Sequence, residues 1–356
     1  MSLRTILRKE LLWSRHRALA LLFVLVLLPA AFAGASVFFQ STLPKDAPVA
    51  VVVEDDAVSG AEYDVVAASF RLFSRPVRYD SEARALRDLE RETVYAVVSV
   101  PPDLGDPAVD RVNMTVTIDG DMTPYREPSG ALVSVVSATM NRQLDTRVVV
   151  DREVRGEERK LASYLLPSFL QILVFTFAFA YLPYNLASEE AVLDRLRVET
   201  SLDAVVAGKL LFFTGLLAVP LLVFHGLGLG LGYGVNLLAP GAILAYGLTF
   251  LACGAIATAV TFASGFGTTG RLLNVLVLFA FLGFSGLVYP AGFFSPLRRG
   301  VVRLMPTHYA MVVVRGTTLR DLPPAEFGTW LGGVALFALA ALVPLKLAMI
   351  AYERGT

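Results

Sequence analysis

The sequence predicts an α-helical polytopic membrane protein with six transmembrane helices and an extracytoplasmic α/β domain inserted between helices one and two. Three observations predict this fold class. The composition is 55% hydrophobic and 17% charged, with a mean hydropathy of +0.61, which is typical of polytopic membrane proteins. Two long stretches, 161–188 and 210–270, contain no Asp, Glu, Lys or Arg. Residues 42–160 carry 15 basic against 22 acidic side chains and the rest of the chain 16 against 9, as expected for parts on opposite membrane faces.

The N-terminal segment predicts a helix on the membrane surface followed by a first span. Residues 1–17 place leucines and an isoleucine at helical spacing among five basic residues and one acid, which favours a cytoplasmic amphipathic helix. A basic topogenic tail is the simpler alternative. Residues 18–40 predict transmembrane helix 1, because 22 apolar residues rise about 33 Å. A signal peptide cleaved near Ala31-Phe32-Ala33 is the rival interpretation, which the continuing apolar run to Phe39 disfavours.

Residues 41–160 predict the α/β domain. Apolar and β-branched runs at 49–53, 77–79, 94–100 and 112–118 predict strands, and 61–73 and 81–91 predict helices between them. A long helix is expected from Pro128 to about Arg155, continuing toward the second span.

Two acidic clusters lie in this domain, Glu54-Asp55-Asp56 and Asp119-Gly120-Asp121. Either cluster could bind a divalent cation, but strand-end turns in water are the commoner origin of such patterns. We therefore predict no metal site.

Residues 161–352 predict transmembrane helices 2–6, with a charged loop at 187–209 between the second and third. The five predicted spans are 161–186, 210–231, 240–263, 272–288 and 328–345. Inside the charged loop Leu193 and Leu196 form one short helical stripe, and Leu202, Val205 and Val206 form another. Thr200 and Ser201 lie between them as plausible N-caps, with Asp203 in the following first turn. A short helix tied to two spans can transmit force from a soluble partner. The alternative is an ordinary solvated loop.

The stretch 289–325 predicts an extracytoplasmic re-entrant hairpin. Pro290, Pro296 and Pro306 interrupt the chain, and apolar residues of 297–305 share a helical face from which the arginines are displaced. These arginines could contact lipid phosphates or an anionic substrate. A plain loop with interfacial anchors is the alternative.

Three blocks of residues resemble the permease subunits of type 2 ABC exporters. Glu189-Glu190, Leu193 to Leu196 and Gly208-Lys209 are similar to the loop that docks on the ATP-binding subunit in that family. Gly286 with Tyr289-Pro290, Pro296-Leu297-Arg298, the run Leu304 to Tyr309, and Arg315 resemble its C-terminal signature. Lys9-Glu10-Leu11 is similar to its N-terminal elbow.

The resemblance implies three groups of site residues. The ATPase-docking coupling loop would comprise Glu189, Glu190, Leu193, Arg195, Leu196, Glu199, Thr200 and Lys209. The extracytoplasmic hairpin would contribute Tyr289, Pro290, Pro296, Arg298, Pro306, Tyr309 and Arg315. The elbow helix would contribute Arg8, Lys9 and Glu10. The large domain between spans one and two resembles the subgroup that includes sodium- and drug-efflux permeases.

The resemblance also implies the partners. They are an ABC ATP-binding subunit that carries ATP and magnesium, a second permease copy or paralogue, and membrane lipids. No catalytic residue, cofactor or nucleic-acid partner is expected in this chain. Gly265 to Gly270 matches a dinucleotide pattern, but no soluble strand precedes it and no acid follows at the required distance.

Two other function classes were weighed against an exporter permease in the plasma membrane with both termini cytoplasmic. An ion-coupled transporter usually places acids or lysines inside its spans, and here His225 is the only His, Asp, Glu, Lys or Arg well inside them. A membrane-anchored sensor or assembly factor whose outer domain binds a ligand or partner stays open as the alternative.

Overall fold

The computed structural model describes residues 46–355 except 55–57, 72, 103, 105, 107, 145 and 191–200. Its first part is a five-stranded mixed sheet with three helices. In chain order these are β1 (Ala47–Val52), α1 (Gly60–Arg71), β2 (Ser74–Tyr79), α2 (Glu82–Glu90), β3 (Val97–Ser99), β4 (Arg111–Asp119), α3 (Thr123–Gln143) and β5 (Arg147–Arg155). The strand order is β2-β1-β3-β4-β5, and only the β3–β4 pair is antiparallel.

Strand β1 is buried along its whole length because helices cover both faces of the sheet. Val49 and Val51 belong to the main core with residues of α1, whereas Ala50 and Val52 pack with Leu89 of α2. This alternation follows from the two-residue period of a strand. The expected small α/β unit is therefore present, at 46–155 of the described chain.

One predicted element is wrong. The expected long helix from Pro128 to Arg155 is a shorter helix, α3, which begins at Thr123, followed by strand β5. Residues 147–155 pair in parallel along the full length of β4. The run Val148 to Val150 is β-branched, and such side chains suit a pleated surface better than a helix.

The second part is helical. It comprises α4 (Leu161–Thr176), a π-helical turn (Phe177–Tyr181), α5 (Leu182–Ser188), α6 (Leu202–Leu216), α7 (Ala218–Gly230), α8 (Pro240–Ala263), α9 (Thr268–Phe284), a 3-10 turn (Ala291–Phe293), α10 (Pro296–Leu304), α11 (Pro306–Leu319), a second 3-10 turn (Pro324–Phe327) and α12 (Gly328–Gly355). Helix α8 lies centrally and packs against α12, α11, α6 and α9.

Four helical segments of the described chain are long and apolar enough to cross a membrane. They are Leu161–Ser188, Leu202–Gly230, Pro240–Ala263 and Pro324–Arg354. These match predicted spans two, three, four and six. Predicted span five is the shorter apolar helix Thr268–Phe284, and predicted span one lies outside the described residues.

The core runs without a break from the sheet into the helical part. Tyr95 at the start of β3, Tyr125 of α3 and Phe293 of the first 3-10 turn form a three-ring cluster with centroids 5.8–6.1 Å apart. The backbone N–H of Gly292 donates to the Tyr95 hydroxyl at 3.0 Å. The α/β unit is thus packed directly on the segment that precedes α10.

Candidate functional site

The two ends of the predicted coupling loop are joined by an ion pair. Lys209 of α6 lies 2.7 Å from a carboxylate oxygen of Glu189 and donates to the Asn185 side chain at 2.8 Å. The loop therefore leaves α5 and returns to α6 at one place. That place lies 28 residues, about 42 Å of helix, from the α/β end of the second span.

Helix α6 is capped and tied to the last span at the same end. Ser201 accepts a hydrogen bond from the backbone N–H of Ala204 at 3.2 Å, so Ser201 is the N-cap of the two candidates that the sequence offered. Asp203 in the first turn pairs with Lys346 of α12 at 2.5 Å. Three helices, α5, α6 and α12, are thus linked by charged side chains at the loop.

Several predicted site residues lie outside the described residues. From the coupling loop these are Leu193, Arg195, Leu196, Glu199 and Thr200, and from the elbow helix they are Arg8, Lys9 and Glu10. Of the coupling loop, the structure places Glu189, Glu190 and Lys209. The loop's docking role stays a prediction.

The predicted hairpin forms two short helices with a proline at the first turn of each. Pro296 begins α10 and Pro306 begins α11, where a missing N–H costs nothing. Pro290 is buried and precedes the first 3-10 turn, while Tyr289 is half exposed and contacts the Phe293 ring. Tyr309 of α11 donates from its hydroxyl to the Arg303 carbonyl at 3.0 Å.

Two arginines of helix α10 lie in an environment different from the expected one, whereas its leucines are exposed as an apolar face toward lipid would be. Arg298 and Arg299 are buried, whereas Leu297 is 66% and Leu304 82% exposed. Arg298 donates to the Gly283 carbonyl and lies over the Phe294 ring, and Arg299 donates to three backbone carbonyls. The hypothesis that these two arginines contact lipid phosphate is therefore wrong. They instead satisfy carbonyls that irregular backbone leaves unpaired.

A fully buried ion pair with two hydrogen bonds joins the hairpin to the α/β unit. Arg315 of α11 is fully buried and binds both carboxylate oxygens of Glu92, at 2.7 and 2.6 Å. It also donates to the Gly286 carbonyl at 3.0 Å. Glu92 lies in the turn between α2 and β3 with a left-handed φ of 57°. Such a conformation is uncommon for a non-glycine residue and persists where surrounding contacts hold it.

Two further pairs extend this contact. Arg320, just after α11, donates to Asp119 at the end of β4 at 2.8 Å. Arg159, just before α4, donates to Asp121 at 2.6 Å and to the carbonyls of residues 233, 234 and 319. We call these six residues the junction cluster: Glu92, Asp119, Asp121, Arg159, Arg315 and Arg320. Three carboxylates and three guanidinium groups balance in charge.

The pKa values of Glu92 and Asp121 move in opposite directions. Burial raises the pKa of Glu92, but the charge and hydrogen bonds of Arg315, with Arg320, outweigh burial and hold it below its ordinary value. For Asp121, burial and the neighbouring Asp119 raise the pKa to about 6 despite the two arginines. Of these two carboxyl groups, Glu92 is the firmly ionised one.

Sequence analysis identified Arg315 but missed its partners. Glu92 and Arg315 are 223 positions apart, and nothing local in either segment indicates the pairing. Asp119-Gly120-Asp121 was interpreted as a turn, with a metal site as the alternative. In the structure the two aspartates pair with Arg320 and Arg159. The sequence feature that could have indicated these ion pairs is the presence of two carboxylates at the end of a predicted strand whose alternate residues are apolar.

The chain was compared with protein-family models, curated proteins and solved structures. A family model described as "ABC-2 family transporter protein" matches residues 19–344. No curated protein matches the chain. No solved structure matches it either. The family match covers most of the chain, including the α/β unit, all four candidate spans up to residue 344, and the junction cluster. The chain therefore belongs to the ABC-2 family of transporter proteins and is a multi-pass membrane component of an ABC transporter.

Proposed function

We propose that this chain is the permease subunit of an ATP-driven ABC exporter, which moves its substrate out of the cytoplasm or the membrane. A separate ATP-binding subunit supplies ATP and magnesium. The observation that carries this proposal is the charged loop at 187–209, whose two ends are ion-paired at the end of the spans remote from the α/β unit. Sequence resemblance assigns that loop to the docking element of the family.

The loop's attachments suit a coupling role. The Glu189–Lys209 pair joins α5 to α6, and the Asp203–Lys346 pair joins α6 to α12. Force applied to the loop by a closing ATPase would reach three spans at once. Four of the side chains in these pairs keep partial exposure, so each pair is weak and can rearrange.

The proposed arrangement has six spans with both termini in the cytoplasm. Residues 18–40 form the first span, and the helices at 161–188, 202–230, 240–263, 268–284 and 324–354 form the other five. The α/β unit then lies outside the cytoplasm and the charged loop inside, in agreement with the acidic balance of 42–160. Six spans are half of a transport pathway in this family, so a dimer with a second copy or a paralogue is implied.

Partner capture tests the proposal. The full-length protein is purified with its native membrane partners and compared with a Glu190→Lys, Leu193→Asp double variant. We expect an ATPase to co-purify with the wild type and to be lost from the double variant. Glu153→Lys reverses an exposed charge on β5 and is the matched control that should retain it. An ATPase bound equally to all three forms would place docking elsewhere, and capture of none would favour the sensor function.

Sidedness has its own test, because Cys253 is the only cysteine and is buried. In a Cys253→Ala background, Glu190→Cys and Glu153→Cys place single thiols on the loop and on β5. A membrane-impermeant maleimide applied to intact cells should label position 153 and spare position 190 until the cells are opened. Labelling of position 190 in intact cells would contradict the proposed orientation.

A further inference from the structure

A cavity of about 350 Å³ lies between the α/β unit and the hairpin. One wall is the face of β2 that carries Arg75, Val77 and Tyr79, together with the turn 91–95. The opposite wall is formed by Arg303 of α10, three residues of α11, and Trp330 of α12. We call it the junction cavity. Its volume is in the range of small-ligand sites.

The junction cavity has a positive rim. Arg75 and Arg303 are exposed, and neither has an ion-pair partner among the described residues. Arg91 is neutralised by Glu326 at 2.6 Å. The one carboxylate among the lining residues belongs to Glu92, whose side chain is 1% exposed and already bound by Arg315. Two guanidinium groups are thus available to an anion, and guanidinium is well suited to binding phosphate.

The lining also offers uncharged polar and aromatic groups. His308 is 93% buried, and its Nδ1 has no hydrogen-bond partner among the described residues. The rings of His308, Tyr309 and Trp330 follow one another with centroids 5.2 and 5.8 Å apart. A ligand that combines a negative group with an apolar part fits this combination better than a free ion does.

The position of the cavity indicates the source of such a ligand. Trp330 lies in the first turn of α12, near the start of the last candidate span, and tryptophan and tyrosine concentrate where a membrane meets water. Leu304, which follows Arg303 directly, is 82% exposed. Leu297, also in α10, is 66% exposed, whereas Arg298 and Arg299 are buried. Apolar side chains this exposed on a short helix of a membrane protein are expected to contact acyl chains.

We propose that the junction cavity binds the phosphate headgroup of an anionic membrane phospholipid. Arg75 and Arg303 hold the phosphate, the aromatic wall contacts the glycerol region, and the acyl chains leave along Leu304. The site is separate from the coupling loop. Loss of lipid binding with normal ATPase capture, or the reverse, would distinguish this proposal from the permease proposal.

Tryptophan fluorescence tests the proposal. The chain contains two tryptophans, Trp13 and Trp330, so a Trp13→Phe background makes emission specific for the cavity. The purified full-length protein in nonionic detergent is titrated with short-chain phosphatidylglycerol, short-chain phosphatidylcholine and inorganic phosphate. We expect a saturable emission change with phosphatidylglycerol, and a Kd at least tenfold weaker for the other two.

Variants on one strand provide the matched control. Arg75→Gln and Arg303→Gln should each raise the Kd for phosphatidylglycerol about fivefold, which corresponds to about 1 kcal/mol per basic residue. Arg78→Gln should leave it unchanged, because Arg78 lies on β2 but does not line the cavity and covers Tyr63 instead. Thermal unfolding verifies that all three variants fold.

Each other result overturns the proposal. Equal affinity for inorganic phosphate would make the cavity a free-anion site rather than a lipid site. Equal affinity for phosphatidylcholine would remove the selection for negative charge. An equal increase in Kd for Arg78→Gln would mean that the overall positive charge of this surface attracts the lipid, without a specific site. The absence of a saturable change in tryptophan emission would mean that no headgroup binds in the cavity.

Discussion

Replacing Arg315 by Met should be among the most destabilising single changes in the described chain. The substitution removes two charge-assisted hydrogen bonds, at 2.7 and 2.6 Å, and a third to a backbone carbonyl. It leaves Glu92, whose side chain is 1% exposed, with Arg320 at 3.5 Å as its remaining cation. Breaking a buried pair by removing one partner costs about 3–5 kcal/mol, because the other charge stays buried without compensation.

The single cysteine provides the assay. Cys253 is fully buried in α8, so a thiol-reactive fluorogenic probe reports unfolding during heating at a fixed rate. A loss of 3–5 kcal/mol should lower the Tm of Arg315→Met by about 5–10 °C. Lys346→Met is the matched control, since it breaks a pair whose side chains are 49% and 57% exposed, and exposed pairs contribute about 0–1 kcal/mol.

A double variant separates the pair from its surroundings. Arg315→Met combined with Glu92→Gln removes both charges, so its Tm should lie above the value that adding the two single shifts predicts. Two results would refute the reasoning. One is an Arg315→Met shift no larger than that of Lys346→Met, and the other is strict additivity in the double variant.

Three further predictions follow from the same packing. The Tm difference between wild type and Glu92→Gln should be largest at neutral pH and should become smaller below the ordinary glutamate pKa of 4.5. The reason is that the pKa of Glu92 is lowered in the folded protein, so the stability contributed by the ionised carboxylate is lost as the pH falls through that lowered pKa. A Tm difference that stays constant from pH 7 to 4 would contradict this. Gly316→Ala should lower the free energy of unfolding by about 1–3 kcal/mol, because the added Cβ would overlap the Phe327 ring. The control Gly332→Ala adds a Cβ that meets no atom within 4 Å, so its Tm in the same thermal assay should be unchanged or slightly higher. Tyr246→Phe should cost about 1 kcal/mol by losing its 2.9 Å bond to the Pro167 carbonyl between α8 and α4, and an unchanged Tm would show that this bond contributes nothing.

Local patterns predicted much of the fold. The apolar runs identified the second, third, fourth and sixth spans, and the Ser201 cap and the strand at Val112 to Ile118 follow from short-range rules. The element missed was β5, because Arg147–Arg155 has few turn signals before it and its strand state depends on pairing with β4. Strand formation is decided by neighbours more than helix formation is.

The site was harder to predict for a related reason. Amphipathic spacing separated the leucines of α10 from its arginines, and Leu297 and Leu304 are exposed, as expected for a helix whose apolar face meets lipid. The spacing could not show that Arg298 and Arg299 are buried, where the carbonyls of Gly283, Gly292 and Phe294 accept their hydrogen bonds. The pairing of Glu92 with Arg315 likewise depends on tertiary structure, because the two residues are 223 positions apart and Glu92 lies in a turn with positive φ.

The charged contacts at the two ends of the spans differ in strength, and this difference has a mechanical consequence. At the charged loop, the Glu189–Lys209 and Asp203–Lys346 pairs keep partial exposure, so separating them costs little. At the other end, the junction cluster is buried, and each broken pair costs several kcal/mol.

A movement imposed at the loop therefore rearranges the weak pairs first. The α/β unit, the start of α4 and the hairpin are joined through Asp121–Arg159, Asp119–Arg320 and Glu92–Arg315, so they should move together as one body. In such a molecule the α/β unit does not swing independently of the spans. In the proposed permease, a movement that starts at residues 187–209 would reach the α/β unit through α5 and α4. The walls of the junction cavity belong to both parts of that body, so the cavity would change shape only if the two parts separated.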